Sequence, residues 1–250
     1  MQNQYFRQRD NLPKSPRIIL SRKSAIEQLS PRNGILKKIG LRGDIMNQLV
    51  RLTLVRHGET IWNREMRLQG SQDIPLSEIG LAQAEAVAKR LSAEQFHALY
   101  SSHLQRAHKT AETIASRSQV PHHVAEDLRE RHFGEVEGLT REEILRHYPE
   151  FWNGDHTYDV AGVESFVALR DRAHQAIDKI ADHHLGEHVV IVSHGGTINA
   201  FLNAFLNAIS AGLHGSGVNK LGNTSITRVF READGSWQII EIGCTAHLDG

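Results

Sequence analysis

The stretch Leu52–Thr60, Leu-Thr-Leu-Val-Arg-His-Gly-Glu-Thr, constrains the fold more than any other part of the chain. Its first four residues are apolar or β-branched and predict a short buried strand over Leu52–Val55. Arg56, His57 and Gly58 follow at once, so the strand carries a cation and an imidazole to its carboxyl end, the edge where open α/β sheets bind ligands. A guanidinium suits a phosphate group, and glycine lets the backbone turn sharply. The same three residues are also compatible with a strand end that carries two solvated polar side chains. The choice between a ligand site and a solvated strand end therefore depends on motifs elsewhere in the chain.

The periodicity of the remaining chain alternates between strands and helices. Apolar runs predict strands at Ala98–Tyr100, Val120–Val124, Val189–Val192, Ser225–Phe230 and Trp237–Ile242. Helical spacing predicts helices from Ser77 to about Leu91, Leu104 to about Ser116, Arg141 to His147, Glu164 to about His184 and Gly195 to about Ala208. Loops are expected over Thr60–Gly70, Asp127–Gly138 and Ala211–Val218.

The order of these elements predicts the fold class. Strands that alternate with helices imply parallel pairing with crossovers. The wholly apolar run Val189–Val192 is expected in the centre of the sheet, whereas Pro121 confines Val120–Val124 to an edge. The last two strands are joined across Asp234-Gly235 and read as a closing hairpin. We therefore expect an α/β fold, a three-layer α/β/α sandwich with a mostly parallel central sheet and an antiparallel strand.

Residues 1–45 differ in composition from the rest of the chain. They contain ten basic against three acidic residues and three of the six prolines. Such a segment buries little apolar surface, so we expect residues 1–45 to form a basic, disordered leader without a role in chemistry, ahead of one folded domain over 46–250. A transit peptide and an overlong start before Met46 are the other interpretations that the sequence leaves open.

Charge and cysteine content narrow the function classes. The chain has 29 basic and 29 acidic residues, so the basic leader leaves a net charge of −7 on residues 46–250, which argues against nucleic-acid binding. Cys244 is the only cysteine, which excludes an intrachain disulfide and a cysteine zinc site. No apolar run approaches the roughly 20 residues of a membrane span. We expect a cytoplasmic protein that binds no membrane, and a homodimer is among the oligomeric states left open.

Three of the predicted strands end in residues that suit one phosphoryl group. The first ends at Arg56-His57, Arg106 lies in the first turn of the helix after the second, and His194-Gly195 opens the helix after the central strand. The N-terminus of a helix presents free N–H groups and a positive dipole end to an anion. A lone histidine at a strand end is more often structural, but three such endings at equivalent edges are hard to attribute to chance.

With these motifs the sequence resembles the histidine phosphatase superfamily, the phosphoglycerate-mutase-like group. The resemblance extends from Leu52 to Leu248 and keeps the order of the family motifs. It is carried by Leu54–Thr60, Trp62-Asn63, Leu68–Gly70, Pro75–Gly80, Ser102–Ala107, Glu130–Gly138 and Val192–Gly196.

The resemblance implies a role for each motif residue. His57 would be the nucleophile and would form a phosphohistidine that water then hydrolyses. Glu130 would be the general acid and then the general base, although Glu135 and Glu137 are its rivals by residue type alone. The phosphoryl oxygens would be bound by Arg56, Arg106 and His194. Further substrate contacts would come from Asn63, Gln69, Gly70 and Gly195.

The activity that the resemblance implies is hydrolysis of phosphomonoesters of small metabolites, with no cofactor and no metal. The alternatives are a cofactor-dependent phosphoglycerate mutase and a non-catalytic module that binds a phosphorylated ligand. Mutases of the family carry a longer insert after the glutamate motif, whereas here 64 positions separate Glu130 from His194. The expected lid, Leu139–Gly162, is poor in basic residues, which favours the phosphatase. A binding module would have lost one of His57, Arg106 and His194, and all three are present.

Sixteen histidines suggest a metal site, but the sequence has no His-Glu-x-x-His motif and no cluster of cysteine and histidine. His122-His123 and His183-His184 are therefore predicted to be surface pairs. His103 and His132 flank motif residues, so contact with the substrate is an alternative for both, but they are predicted to be exposed. Trp62 is predicted to pack against the first loop.

Overall fold

Strand β1 (Val50–Arg56) forms the middle of a six-stranded sheet with the order β3-β2-β4-β1-β5-β6. The computed structural model describes residues 49–149, 151, 160–206 and 221–249, with the backbone alone at 205 and 206. The leader 1–45, the loop Ala211–Val218 and most of the irregular part of the expected lid lie outside these residues. The other strands are β2 (Ala98–Ser101), β3 (His122–Val124), β4 (His188–Ser193), β5 (Ile226–Arg231) and β6 (Trp237–Cys244).

The pairing of the strands places three carboxyl ends at one edge. β1 and β4 are parallel, with Arg56 opposite Ser193, and β2 is parallel to β4, with Ser101 opposite Val192. β3 closes this side of the sheet, as Pro121 predicts. β5 runs antiparallel to both β1 and β6. The mostly parallel sheet with an antiparallel strand is confirmed, and the phosphate-type residues after β1, β2 and β4 lie at a common edge.

The helices follow the predicted spacing closely. Ser77 caps the N-terminus of α2 (Glu78–Leu91) by accepting the Gly80 N–H at 3.1 Å, and α3 (Gln105–Ser118) begins after Leu104. α4 spans Arg141–His147, α5 spans Phe166–His183, and α6 spans Gly195–Leu206. Among the described residues, no helix is both long enough and apolar enough to cross a bilayer.

The apolar faces of the sheet make two separate cores. Leu52 and Leu54 point to one face, which α5 and α6 cover with residues such as Ile177 and Phe201. Val55 points to the opposite face, which α2 and α3 cover with residues such as Leu91. Because side chains alternate along a strand, one short apolar run serves both layers. The three-layer α/β/α arrangement is confirmed.

Two segments expected to be loops contain short helices. Residues after β1 form α1 (Ile61–Arg64), whose start is fixed by a reciprocal pair: the Asn63 N–H donates to Thr60 Oγ1, and the Thr60 N–H donates to Asn63 Oδ1. Asn at this capping position is a weaker sequence signal than the usual Glu or Gln, so the helix was not expected. The segment 127–138 contains two single turns of 3₁₀ helix, at Glu126–Leu128 and Gly134–Val136.

Candidate active site

His57 lies directly after β1 and is buried, with 3% of its surface exposed. Its Nδ1 lies 2.7 Å from the carbonyl oxygen of Gly58, which only accepts hydrogen bonds. Nδ1 therefore carries the proton, and the lone pair of Nε2 is left for attack on an electrophile. Burial and the positive charges of Arg106 and Arg56 hold the pKa of His57 well below 6.5. The imidazole is thus neutral at physiological pH, as a nucleophile must be.

Gly58 holds this strand end against the start of α2. A Cβ atom at Gly58 would lie 2.5 Å from the carbonyl oxygen of Gly80, and one at Gly80 would lie 1.9 Å from that of Glu59. No side chain fits at either position, so both glycines are required by close backbone approach. The Gly58 N–H donates to Thr110 Oγ1 at 3.1 Å, which ties the turn to α3.

Arg106 lies in the first turn of α3 and is completely buried. Its Nη1 donates to the carbonyl oxygen of Gln72 at 2.6 Å, and its Nη2 donates to that of Gly70 at 2.7 Å. Burial lowers the pKa of Arg106 to about 10, against the opposing charge of Glu130, so the guanidinium stays protonated at neutral pH. Its Nε has no partner among the described residues, which leaves a buried donor for a ligand.

Arg56 supplies the second cation of the site. Its Nη1 donates to the carbonyl oxygen of Leu221 at 2.7 Å, and its buried Nε has no partner in the described part of the chain. Burial lowers the pKa of Arg56, whereas the charge of Glu130 raises it. Neutral carbonyl oxygens hold both guanidinium groups in place, so their positive charges remain for an anion.

His194 faces His57 across the site. The two ring centroids are 5.2 Å apart, at an interplanar angle of 57°. His194 is fully buried, and neither of its ring nitrogens has a partner within the residues that the structure describes. Burial, followed by the charge of Arg106, holds the pKa of His194 well below 6.5. A buried imidazole with no hydrogen bond at either ring nitrogen among the described residues is unusual, and it indicates a ligand that carries oxygen atoms.

The Glu130 carboxylate lies at the N-terminus of α6. It accepts the N–H of Gly196 at 3.0 Å and that of Thr197 at 3.1 Å, together with the Arg131 N–H at 2.9 Å. The sequence alone predicts that this helix end holds the phosphoryl group. The structure instead gives two of its N–H groups to Glu130. Glu135, one of its rivals, is exposed and accepts from Tyr148, and Glu137 holds the 69–72 loop.

Three of the remaining sequence-predicted residues have different surroundings. Asn63 Oδ1 is occupied by the Thr60 N–H and by Asn223 Nδ2, so only its amide N–H groups remain for a substrate. Gln69 is buried, and its Oε1 has no partner among the described residues. Gly70 has φ +54°, and a Cβ there would lie 2.0 Å from Glu137 Oε1. Gly70 therefore acts through its carbonyl, which holds Arg106.

Gly195 is the first residue of α6, and a Cβ at this position would lie 3.5 Å from Arg56 Nε. The helix start and the first cation are therefore neighbours. The structure thus gathers His57, Arg56, Arg106, His194 and Glu130 around one edge of the sheet, with Gly195 beside them.

Sequence reasoning missed the contribution of the segment before β5. Asn223 Nδ2 donates to the carbonyl oxygen of His57 at 3.1 Å and to Asn63 Oδ1 at 3.2 Å, which joins the His57 backbone to α1. Leu221 supplies the carbonyl that holds Arg56. Because β5 is antiparallel to β1, its beginning meets the edge where the parallel strands end. The polar run Asn223-Thr224-Ser225 directly before β5 was the sequence signal that could have predicted a contribution of this segment to the site.

The histidines that the sequence predicts to be exposed differ in their burial. His103, His123 and His183 are exposed, whereas the prediction of surface pairs is wrong for their neighbours: His122 Nε2 lies 2.8 Å from Ser101 Oγ, and His184 Nε2 lies 3.0 Å from the Tyr100 hydroxyl. Both are half-buried because each finds a hydroxyl partner. His132 is also half-buried, with Nδ1 2.6 Å from the Gly162 carbonyl oxygen.

Trp62 Cη2 would lie 3.2 Å from a Cβ at Gly138, in keeping with a packing role in the first loop. Among the described ranges, no group of three or more His, Cys, Asp or Glu side chains is arranged to hold a metal ion.

The arrangement has the parts needed for transfer of a phosphoryl group. Two guanidinium groups and the buried imidazole of His194 offer donors to oxygen atoms, and a neutral imidazole offers a lone pair. Preorganised donors at buried positions stabilise the charge that spreads over the equatorial oxygens in the transition state. A carboxylate at the same edge can transfer a proton to or from the fourth oxygen.

Comparison with known proteins gives a consistent result. A model of the histidine phosphatase superfamily (branch 1) matches residues 52–245. The chain is 39% identical to phosphoglycerate mutase-like protein 4 of Arabidopsis thaliana, over 79% of this chain and 86% of that protein. It is 38% identical to a metal-independent phosphoserine phosphatase of the same plant, over 82% and 85%. The solved structure of a mycobacterial glucosyl-3-phosphoglycerate phosphatase with VO3 is similar at a TM-score of 0.69 and 30% identity, covering 78% of this chain and 99% of that one.

Proposed function

This chain belongs to the histidine phosphatase superfamily, and from that premise we propose that it hydrolyses phosphomonoesters of small metabolites through a phosphohistidine on His57. One observation carries the proposal: the neutral imidazole of His57 lies near the Nε atoms of two buried guanidinium groups and the ring of His194, which have no partner among the described residues. Such donors suit the oxygens of a phosphoryl group, and the lone pair suits its phosphorus.

The reaction divides into two displacements at phosphorus. In the first, Nε2 of His57 attacks phosphorus, the bond from phosphorus to the ester oxygen breaks, and Glu130 gives a proton to the leaving alcohol. In the second, Glu130 takes a proton from water, whose oxygen attacks phosphorus, and the bond from phosphorus to nitrogen breaks. Inorganic phosphate leaves, and His57 is again neutral. Two easier steps thereby replace one difficult step.

The protein groups stay in place during both steps. Arg56 and Arg106 hold the equatorial oxygens, since carbonyl contacts from Leu221, Gln72 and Gly70 fix each guanidinium. His194 adds a donor opposite His57, and the first N–H of α6, at Gly195, remains for another oxygen because Glu130 takes the next two. Metal ions are not needed for charge stabilisation when cationic side chains surround the group in this way.

Small phosphorylated metabolites are the substrate class that this proposal names. The relatives' names support it, since one is a phosphoserine phosphatase and another a glucosyl-3-phosphoglycerate phosphatase. The mutase remains the second candidate, because the relative with 39% identity is named phosphoglycerate mutase-like. A mutase has to retain the phosphoryl group on histidine while the substrate reorients, whereas a phosphatase lets water reach it.

A direct assay separates the two candidates. Purified protein is supplied with a panel of phosphorylated metabolites, and phosphate release is compared with conversion of 3-phosphoglycerate in the presence of 2,3-bisphosphoglycerate. We expect release of phosphate to be the faster reaction for at least one monoester. A His57→Ala sample purified in parallel reports any contaminating phosphatase. Isomerisation much faster than release from every monoester would overturn the phosphatase and favour the mutase.

A further inference from the structure

Glu130 lies in a segment that is itself neither α-helix nor β-strand. The segment 127–132 begins within the 3₁₀ turn Glu126–Leu128 and ends ahead of the 3₁₀ turn Gly134–Val136. A general acid must sit within about 0.5 Å of its productive position, so an irregular segment needs side-chain supports. The α6 N-terminus holds the carboxylate from one side. The backbone on either side of it is held in part by hydroxyl groups, since Thr197 Oγ1 donates to the carbonyl oxygen of Arg129 at 2.6 Å and Ser193 Oγ donates to that of Leu128 at 2.7 Å.

Arg172 of α5 provides hydrogen bonds to that backbone. Its Nη1 donates to the carbonyl oxygen of Asp127 at 2.7 Å and to that of Arg129 at 2.9 Å, and its Nη2 donates to that of Glu130 at 3.4 Å. One planar guanidinium therefore reaches three carbonyls of the segment that carries the proposed acid. A lysine has no such fork of donors in a fixed geometry.

Glu164 fixes this guanidinium in turn. Its Oε1 accepts Arg172 Nε at 2.9 Å and its Oε2 accepts Arg172 Nη2 at 2.8 Å, a bidentate pair in which the side chains are 10% and 12% exposed. The same carboxylate accepts Arg129 Nη1 at 3.1 Å and the His132 N–H at 3.2 Å. Both ends of the segment that carries Glu130 are thus joined to one partly buried ion pair.

We propose that the Glu164–Arg172 pair is a positioning device for Glu130, which we name the Glu164–Arg172 clamp. The inference rests on the proposed function, since it concerns the group that would protonate the leaving oxygen. The clamp residues touch neither His57 nor the phosphoryl donors directly in the hydrogen bonds described above. The charge of Arg172 also contributes to the lowered pKa of His194, whereas the positioning effect reaches the reaction through the Glu130 backbone.

The fold gives α5 anchors that do not depend on the clamp. Leu169, Ala173, Ile177 and Ile180 bury the apolar face of this helix in the core. Loss of the clamp therefore leaves the helix in place and frees the 127–132 segment to shift. A misplacement of about 1 Å costs on the order of 10²-fold in rate. The loss should fall on the step that needs a proton.

The test compares kcat/KM for two substrates in wild type, Glu164→Gln, Arg172→Met and Arg172→Lys. For an alkyl phosphate, whose leaving oxygen needs protonation, we expect kcat/KM to fall on the order of 10²-fold in Glu164→Gln and Arg172→Met. For p-nitrophenyl phosphate, whose leaving group departs without help, we expect a fall of less than about 5-fold. Arg172→Lys should regain part of the loss because it keeps the positive charge beside Glu164. kcat/KM is the chosen quantity because it reports the first displacement.

A double variant tests whether the clamp acts through Glu130. If it does, Arg172→Met should add little to the loss already present in Glu130→Gln, because the residue that it positions is no longer an acid. Residues that act as one unit are strongly non-additive in this way. Fully additive losses would refute the positioning role.

Arg228 and Glu94 form the matched control pair. Their side chains are 19% and 23% exposed, they lie 2.7 Å apart, and Arg228 also pairs with Glu241 on the neighbouring strand. Arg228→Met should lower the melting temperature without changing the ratio of the two kcat/KM values. If the clamp variants also leave the ratio of the two kcat/KM values unchanged, the clamp is only structural and the inference is wrong.

A wild type that releases no phosphate from any monoester would instead refute the proposed function.

Discussion

Gly196→Ala is the substitution that most directly probes how Glu130 is held. A Cβ at Gly196 would lie 2.4 Å from Glu130 Oε1, whereas ordinary contacts begin at 3.4 Å. The carboxylate must therefore move by about 1 Å, away from the N–H groups of Gly196 and Thr197. A shift of that size at a proton-transferring group costs on the order of 10²-fold in rate. We expect kcat/KM for an alkyl phosphate to fall by about that factor.

Stability should change little in the same variant, because two effects oppose each other. Alanine gains about 1 kcal/mol over glycine in a helix. Loss of the carboxylate that caps the first turn of α6 costs about 1 kcal/mol. The melting temperature should therefore stay within a few degrees of the wild type, and the loss of rate reports the displaced carboxylate rather than unfolding.

Gly195→Ala is the adjacent comparison. Its Cβ would meet Arg56 Nε at 3.5 Å, an ordinary contact, and the backbone N–H is kept. We expect a far smaller loss of kcat/KM there than at Gly196, as measured on the same alkyl phosphate. A Gly196→Ala enzyme with wild-type kcat/KM and an unchanged melting temperature would refute the assignment of Glu130 as the general acid.

Three further predictions follow from the same site. Glu130→Gln should lower kcat/KM more for alkyl phosphates than for p-nitrophenyl phosphate, and equal losses on both would count against proton donation by Glu130. Because the pKa of His57 is held well below 6.5, its neutral form persists as the pH falls. For p-nitrophenyl phosphate, whose leaving group departs without a proton from Glu130, the rate of phosphoenzyme formation should therefore change little from pH 7.5 to 5.5 once substrate ionisation is allowed for. A histidine of pKa 6.5 would lose about 10-fold over this range, and such a loss would contradict the site as described. EDTA should leave the rate nearly unchanged and vanadate should inhibit, whereas a loss restored by Mg²⁺ or Zn²⁺ would indicate metal-assisted hydrolysis.

The sheet and the edge where β1, β2 and β4 end could be predicted from the sequence because their signals are local. The apolar run 189–192 marks the central strand, and His194 follows it after Ser193. The carboxyl ends of parallel strands lie at one edge of a sheet. Because Arg56, Arg106 and His194 each follow such a strand, their positions in the sequence were enough to predict that they lie close together. The bounds predicted for α4, Arg141–His147, are those of the structure, in which Thr140 and Glu143 form a capping box at its start.

The supports of the site were not readable because they depend on tertiary contacts. Asn223 contacts His57 across 166 positions, and only the antiparallel direction of β5 brings it there. Glu130 lies in an irregular segment, where residue type alone does not separate it from Glu135 or Glu137. The occupant of the α6 N-terminus was also predicted incompletely, since the positive end of a helix attracts a carboxylate of the chain as readily as a phosphate.

The central claim is that phosphate passes through a covalent bond to His57. The direct test is a single-turnover reaction with a radiolabelled phosphomonoester, quenched in alkaline denaturant that preserves phosphohistidine, followed by measurement of label on the protein. We predict label on the wild type that rises and then decays as phosphate appears, and none on His57→Ala. Label of equal amount on His57→Ala, or turnover by that variant at the wild-type rate, would contradict the account.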